Sequence, residues 1–294
     1  MKIKLFPPKK RKINENGPSH RKDYLLNDKT PFDITEAFRN LKATISVSVP
    51  KRESGGISLF LTSAYPEDGK TTVTVNLGLM FALSDMKVVI VDADIRKGRV
   101  AKFFKHRSSP GLSEYLSGQN SLDEVLVQSD INENLYFMPC GTHSPKPYEL
   151  LESDAMKGLS EKLREKFDYV IYDTPPVLVV SDAIAIAPNV DGAILVCRHM
   201  SSYMNDISRS LQALEMGKVN VIGTVVNGYE AEKVNYSRGY KKYYYDSKKK
   251  YGYKRGYGRG YGYGYGYGPR VESEEKAETA VEKTEEEPQE TKEN

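Results

Sequence analysis

The chain has 294 residues, 28% of them charged, with a formal net charge of +3, which is length enough for one or two domains around a sizeable core. Its two cysteines, Cys140 and Cys197, make neither a disulfide framework nor a metal-binding spacing, and read as buried thiols in a reducing compartment. No apolar run approaches the ~20 residues of a membrane span and the start MKIKLFPPKKRK lacks the apolar core of a signal peptide, so we expect a cytoplasmic protein whose membrane contact is peripheral.

The charge is unevenly spread. Residues 1–30 hold nine Lys/Arg against three acids, 236–270 hold ten against Asp246 alone, and 271–294 hold ten Glu against three Lys. Such blocks at chain ends mark solvated arms that meet charged partners. Residues 1–30 are therefore expected to form a loose basic arm, and 269–294 an acidic disordered tail.

A folded domain is expected over 31–230. "TPFDITEAFRNLKATISVSV" has Ile34, Phe38, Leu41 and Ile45 at helical spacing, with Asp33 or Thr35 as N-cap. "GISLFLTSA" (56–64) is a short continuous apolar run, the pattern of a strand buried in a parallel sheet. A helical pattern follows from Lys70 to Ser84. "KVVIVDAD" (87–94), "FDYVIYDTPP" (167–176), "GAILVCR" (192–198) and "VNVIGTVVN" (219–227) read as further strands, with helical stretches near 146–166 and 201–216. Strands alternating with helices predict an α/β fold: a mostly parallel sheet with helices on both faces.

The chemistry concentrates at three strand ends. "SAYPEDGKTT" (63–72) joins the first strand to the Lys70 helix, as a phosphate-binding loop does. Asp68 and Gly69 belong to its tight turn, Lys70 reaches β- and γ-phosphates, Thr71 offers Mg²⁺ a hydroxyl, and Thr72 contacts the α-phosphate. Ala64 stands where the strict pattern has its first glycine, and "DGKTT" alone fits an ordinary helix start equally well. Asp92 and Asp94 close one further strand, however, and Asp173 another. Carboxylates at the C-terminal ends of parallel strands project into the ligand crevice of such sheets, and Mg²⁺ takes hard oxygen ligands. Together these residues point to ATP, Mg²⁺ and ATP hydrolysis or phosphoryl transfer.

"EAFRNLKATI", "SAYPEDGKTTVTVNLG", "VVIVDADIRKG", "YVIYDTPPVLVVSDA" and "VIGTVVNG" together resemble the bacterial tyrosine kinases of capsule and exopolysaccharide synthesis, over roughly residues 31–230. The resemblance implies a P-loop NTPase-like fold and an ATP-dependent protein tyrosine kinase. Lys70 then holds the β- and γ-phosphates. Thr71 and Asp92 serve Mg²⁺ directly or through water, and Asp173 completes its surroundings. Asp94, with Asp92 as rival, orients or deprotonates the incoming phenol. Asn227 stands at the family's adenine contact, although a turn asparagine fits that place equally well. The family's E-x-x-R-x-x-R helix, which packs subunits into a ring, reads here Glu36, Arg39 and Lys42. Members without a transmembrane part work with a separate membrane activator of the polysaccharide chain-length type and are reset by a cognate phosphatase.

From 231 to 268 the chain is rich in tyrosine, glycine and basic residues. Twelve tyrosines fall here: Tyr236, Tyr240, Tyr243, Tyr244, Tyr245, Tyr251, Tyr253, Tyr257, Tyr261, Tyr263, Tyr265 and Tyr267. Alternate glycine disfavours a folded strand, so the segment is expected to be the flexible phosphoacceptor, modified in trans by a neighbouring copy. Two rivals remain. A partition or septum-site ATPase carries an extra lysine early in the loop, where this chain has Tyr65 and no lysine. A scaffold whose tail binds nucleic acid by stacking and charge leaves the aspartates unexplained, so nucleic acid is not the expected partner.

Overall fold

A computed structural model describes residues 24–50 and 55–229. The tyrosine-rich segment, the acidic tail and most of the basic arm lie outside those residues. Seven strands form one sheet: β1 (Ile57–Ser63), β2 (Val88–Asp92), β3 (Val127–Gln128), β4 (Leu135–Met138), β5 (Tyr169–Asp173), β6 (Gly192–Arg198) and β7 (Val221–Asn227). Their order is β3-β4-β2-β5-β1-β6-β7. Only the short β3 runs antiparallel, against β4. The continuous apolar runs predicted as strands are strands, and β1, β2 and β5 are buried along their whole length, as expected for a parallel sheet covered twice.

The alternation of side chains separates two cores. Leu59, Leu61, Ile90 and Ile171 face α1 (Phe32–Ser48), α2 (Lys70–Ala82) and α3 (Val100–Phe103). Phe60, Val89, Val91 and Tyr172 face the opposite layer. That layer contains α4 (Leu112–Leu116), α5 (Leu122–Val125), α6 (Pro147–Glu152), α7 (Asp154–Lys166), α8 (Asp182–Ile186) and α9 (Met204–Met216). α2 is buried on nearly every side because it lies between the sheet and α1. This accounts for a helix with no polar face.

Several expectations need correction. α1 begins after Pro31, and neither Asp33 nor Thr35 caps it: the proline fixes the entry and Asp33 lies in the first turn, where its charge suits the helix dipole. The strand expected over 167–176 stops at Asp173, before Pro175 and Pro176, which supply no amide hydrogen to continue a ladder. The stretch 146–166 is two helices, broken at Ser153, whose Oγ accepts from the Met156 amide. β3 and β4 were not anticipated. Residues 24–30, assigned to the loose arm, are partly built into the domain: Leu25 and Leu26 are buried. Asn76 of α2 holds this segment, accepting from Leu26 N at 2.8 Å and donating to Tyr24 O at 2.9 Å.

Candidate active site

β2, β5 and β1 are neighbours in the sheet, so their C-terminal ends open onto one crevice. Asp92 and Asp173 pair in register, as do Leu61 and Asp173. The loop 64–69 leaves β1 here and turns into α2. Its backbone visits positive φ at Glu67 (74°) and Gly69 (91°), and α2 carries no acid in its first turn. Its N-terminal amides and dipole therefore offer an anion site. Gly69 is fixed by space as well as by φ. A Cβ there would stand 1.9 Å from Asn227 Nδ2, the group that donates to Asp68 O at 2.9 Å.

The expected residues converge. Lys70 Nζ lies 3.4 Å from Asp94 Oδ2 and 3.8 Å from Asp173 Oδ2. Burial works against its charge, but Asp173, Asp94 and Asp92 outweigh that and raise its pKa. Thr71 Oγ1 donates to Asp173 Oδ2 at 2.7 Å, and Thr74 Oγ1 reaches Asp173 Oδ1 at 3.2 Å. Burial raises the Asp173 carboxyl, with Lys70 and Thr71 pulling the other way. Asp92 is fully buried. Its Oδ2 accepts from Val100 N at 2.9 Å, while its Oδ1 has no hydrogen-bond partner among the described residues. Burial and the Asp173 charge push Asp92 well above the usual carboxylate range. Asp94, 6% exposed, lines the cleft beside Lys70, Thr71 and Thr72, with Oδ1 held by Lys97 N at 2.9 Å.

An orphaned buried carboxylate oxygen, a second buried carboxylate and a threonine hydroxyl are hard donors at one end of a phosphate loop. They fit a magnesium ion that shares its remaining ligands with phosphate oxygens and water.

Asp68 is buried, which raises its pKa; its Oδ1 accepts from Ser202 Oγ at 3.4 Å. Asn227 holds the loop from the end of β7. Glu36 and Arg39 pair with each other on α1, whereas Lys42 Nζ donates to Ser84 Oγ at 2.6 Å, tying α1 to the end of α2. Cys140 and Cys197 are both buried, and burial pushes their thiols to about 12 and about 11. The twelve tail tyrosines lie outside the described residues.

Some pairings gave no sequence signal. Arg96 forms a bidentate pair with Asp182 at 2.8 and 3.0 Å, a carboxylate with no exposed surface. Nothing in the spacing joins them, since they are 86 residues apart. Pro175, Pro176, Val179 and Val180 line the same cleft as Arg96, Lys97 and Arg99.

A family model described as an AAA domain matches residues 68–213. The tyrosine-protein kinase etk of Escherichia coli (strain K12) is 35% identical over 227 residues, which cover 77% of this chain and 30% of that one. Its solved kinase domain superposes with a TM-score of 0.63 at 36% identity, covering 70% of this chain and 80% of that structure. The chain thus spans about a third of the length of the first curated relatives it matches. Tyrosine-protein kinase YwqD of Bacillus subtilis (strain 168) is 32% identical over 199 residues, 68% of this chain and 83% of YwqD. The septum site-determining protein MinD from Pyrococcus horikoshii OT3, solved with Mg-ADP, has a TM-score of 0.51 at 22% identity, covering 61% of this chain and 74% of that one, and shares the fold alone. YwqD, covered over most of its length, and a kinase-domain structure matched at higher identity than MinD agree: the chain belongs to the family of bacterial tyrosine-protein kinases.

Proposed function

We propose that the protein is an ATP- and Mg²⁺-dependent tyrosine kinase that phosphorylates its own C-terminal tyrosines in trans. The observation that carries this is the Lys70–Asp94–Asp173–Thr71 cluster at the mouth of the phosphate loop, in a chain whose C-terminal sequence is a glycine-spaced run of tyrosines. Phosphoryl transfer demands alignment and charge neutralisation more than a strong base. Asp94, the acid that lines the cleft, accepts the phenol proton as the phenol oxygen bonds to the γ-phosphorus and the bond to the β-phosphate oxygen breaks. Lys70 neutralises charge on the leaving phosphate, and the α2 amides hold the phosphates in place. A magnesium ion held by Thr71, Asp92 and Asp173 would add charge neutralisation. Asp92 is too enclosed to meet a peptide, which favours Asp94 over it as the acceptor. Asn227 and Asp68 shape the loop around the nucleotide.

A coil of ~30 residues spans about 30 Å root-mean-square, enough to reach a neighbouring copy. The oligomer would form through the α1 face bearing Glu36 and Arg39. Since Lys42 is engaged with Ser84, its contribution would be the weakest of the three. Each phosphate adds about −1.5 to −2 charges, so twelve would overturn the +9 (ten basic minus one acidic) of residues 236–270, repel the tails and loosen the assembly. Regulation of capsular or exopolysaccharide export, through a membrane activator that holds the protein at the cell membrane and a phosphatase that resets it, is the role this cycle would serve.

The test is mass spectrometry of purified protein after incubation with ATP and Mg²⁺, beside Lys70→Met. Phosphate on residues 236–267 of the wild type alone is expected. Equal phosphorylation of both, or nucleotide binding by neither, would overturn the reading.

A further inference from the structure

The lining of the cleft beside Lys70 has two unlike parts. Pro175, Pro176 and Val179 are apolar, suited to the flat face of a phenol. Arg96, Lys97 and Arg99 are basic, with Glu67 and Asp94 the acids in the same lining. Arg96 is preorganised: its Nε and Nη2 are committed to Asp182, while Nη1 keeps its donors. No carboxylate ion-pairs with Lys97 or Arg99 among the described residues. Asp182 already balances Arg96, so Lys97 and Arg99 are the cations left to repel each other, and a dianion stabilises them.

The acceptor segment poses a difficulty for such a lining. Residues 236–270 carry ten Lys/Arg against one acid, so the unmodified tail meets like charge at the cleft. One phosphotyrosine adds about −1.5 to −2 charges and reverses the local sign. The tail also repeats tyrosine at every second position from Tyr261 to Tyr267. In an extended chain such neighbours lie on one side, about 6.6 Å apart.

Resting on the kinase reading above, we infer that Arg96, Lys97 and Arg99 form a binding site for a phosphotyrosyl side chain next to the transfer centre. A phosphate already placed on the tail docks on these residues and brings a neighbouring phenol to Asp94. Phosphorylation is therefore self-priming: the first transfer is slow, and later ones within the same tail are faster. Nucleotide phosphates are left to the loop and Lys70.

The experiment uses the full chain, dephosphorylated, with ADP and Mg²⁺, and two fluorescent peptides spanning residues 259–268. One is unmodified and the other is phosphorylated at Tyr265. Fluorescence anisotropy is expected to show the phosphopeptide binding about tenfold more tightly, in line with a charge-assisted, bidentate-type contact. With ATP, it is expected to be phosphorylated next at Tyr263 or Tyr267, at a higher rate than the unmodified peptide gains its first phosphate. In Lys97→Ala/Arg99→Ala, two changes at non-buried positions, both the affinity ratio and the rate ratio should fall toward one. Equal affinities in the wild type, or an unchanged ratio in the variant, overturns the priming site. A phosphopeptide that binds tightly but is phosphorylated more slowly than the unmodified one also overturns it, marking these residues as a product trap. Absence of any transfer to either peptide, with ATP bound and the activator's presence making no difference, would instead count against the kinase reading. The binding ratio judges the site independently of turnover.

Discussion

Asp92 and Asp173 stand side by side at matched register on adjacent parallel strands, both without exposed surface. Two carboxylates in one buried site repel, and Asp173 has the fuller compensation: it takes the Thr71 and Thr74 hydroxyls and lies near Lys70. Asp92 keeps an oxygen without a partner. A divalent cation, such as the magnesium proposed above, would relieve it.

Asp92→Asn should therefore stabilise the protein when Mg²⁺ is absent, raising the melting temperature by about 2–4 °C, the response of a domain this size to about 1 kcal/mol. Adding Mg²⁺ and ATP should stabilise the wild type further and the variant much less. Differential scanning fluorimetry of the four samples checks both halves. A variant that melts lower without metal and gains as much with it would remove Asp92 from the ion's surroundings.

Gly69 is the tightest point of the loop. Its φ of 91° disfavours any side chain, and a Cβ would collide with Asn227 Nδ2 at 1.9 Å. Gly69→Ala should weaken ATP binding at least about tenfold, with backbone strain alone costing of order 1–3 kcal/mol. Adding Asn227→Ala removes the collision but leaves the strained φ, so titration calorimetry should show partial recovery. Full recovery would mean that φ costs nothing there, and none would mean that Asn227 is not the obstacle.

The site was legible in the sequence where chemistry and strand ends coincide. Lys70, Thr71, Asp92, Asp94 and Asp173 each terminate or follow an apolar run, and parallel topology forces those ends together. What escaped depends on contacts across long sequence separations. Asp182 reads as an ordinary first-turn acid of α8 until Arg96 is seen against it. β4 has only four residues, LYFM, too few for a period to distinguish strand from helix. Leu25 and Leu26 lie in a basic, polar stretch, and their burial depends on Asn76, 50 residues away from Leu26.

The Arg96–Asp182 pair should be a structural strut as well as part of the basic lining. Arg96→Ala strands a buried carboxylate, which costs about 3–5 kcal/mol when such a pair is fully enclosed. Arg96 is partly exposed, so about 2 kcal/mol is expected after screening. Arg96→Ala/Asp182→Asn should recover part of this, because the uncompensated charge is gone. Urea denaturation of the two variants and the wild type gives the comparison; a double variant less stable than Arg96→Ala would show that Asp182 is held by something other than Arg96.

Glu114 offers a test of how the rear of the site is held. Its carboxylate is enclosed, which by itself would raise its pKa, but Thr142 N, Gly111 N and Ser109 Oγ donate to it at 2.8–2.9 Å and lower it to about 2. These bonds anchor Thr142, and Cys140, two residues before it, lies against Gly98, where a Cβ would stand 2.5 Å from Cys140 Sγ and 2.6 Å from Asp92 Oδ2. The folded-state pKa is below the ordinary 4.5, so the unfolded chain binds the proton more readily. The stabilisation is complete above about 4.5 and is lost as the pH falls from there toward about 2. Glu114→Gln should cost about 2 kcal/mol at pH 7, the scale of hydrogen bonds to a charged group, and should flatten the stability profile below pH 4.5. Urea midpoints measured from pH 7 to pH 2.5 will converge for the two proteins if the carboxylate anchors the loop, and will run parallel if it does not.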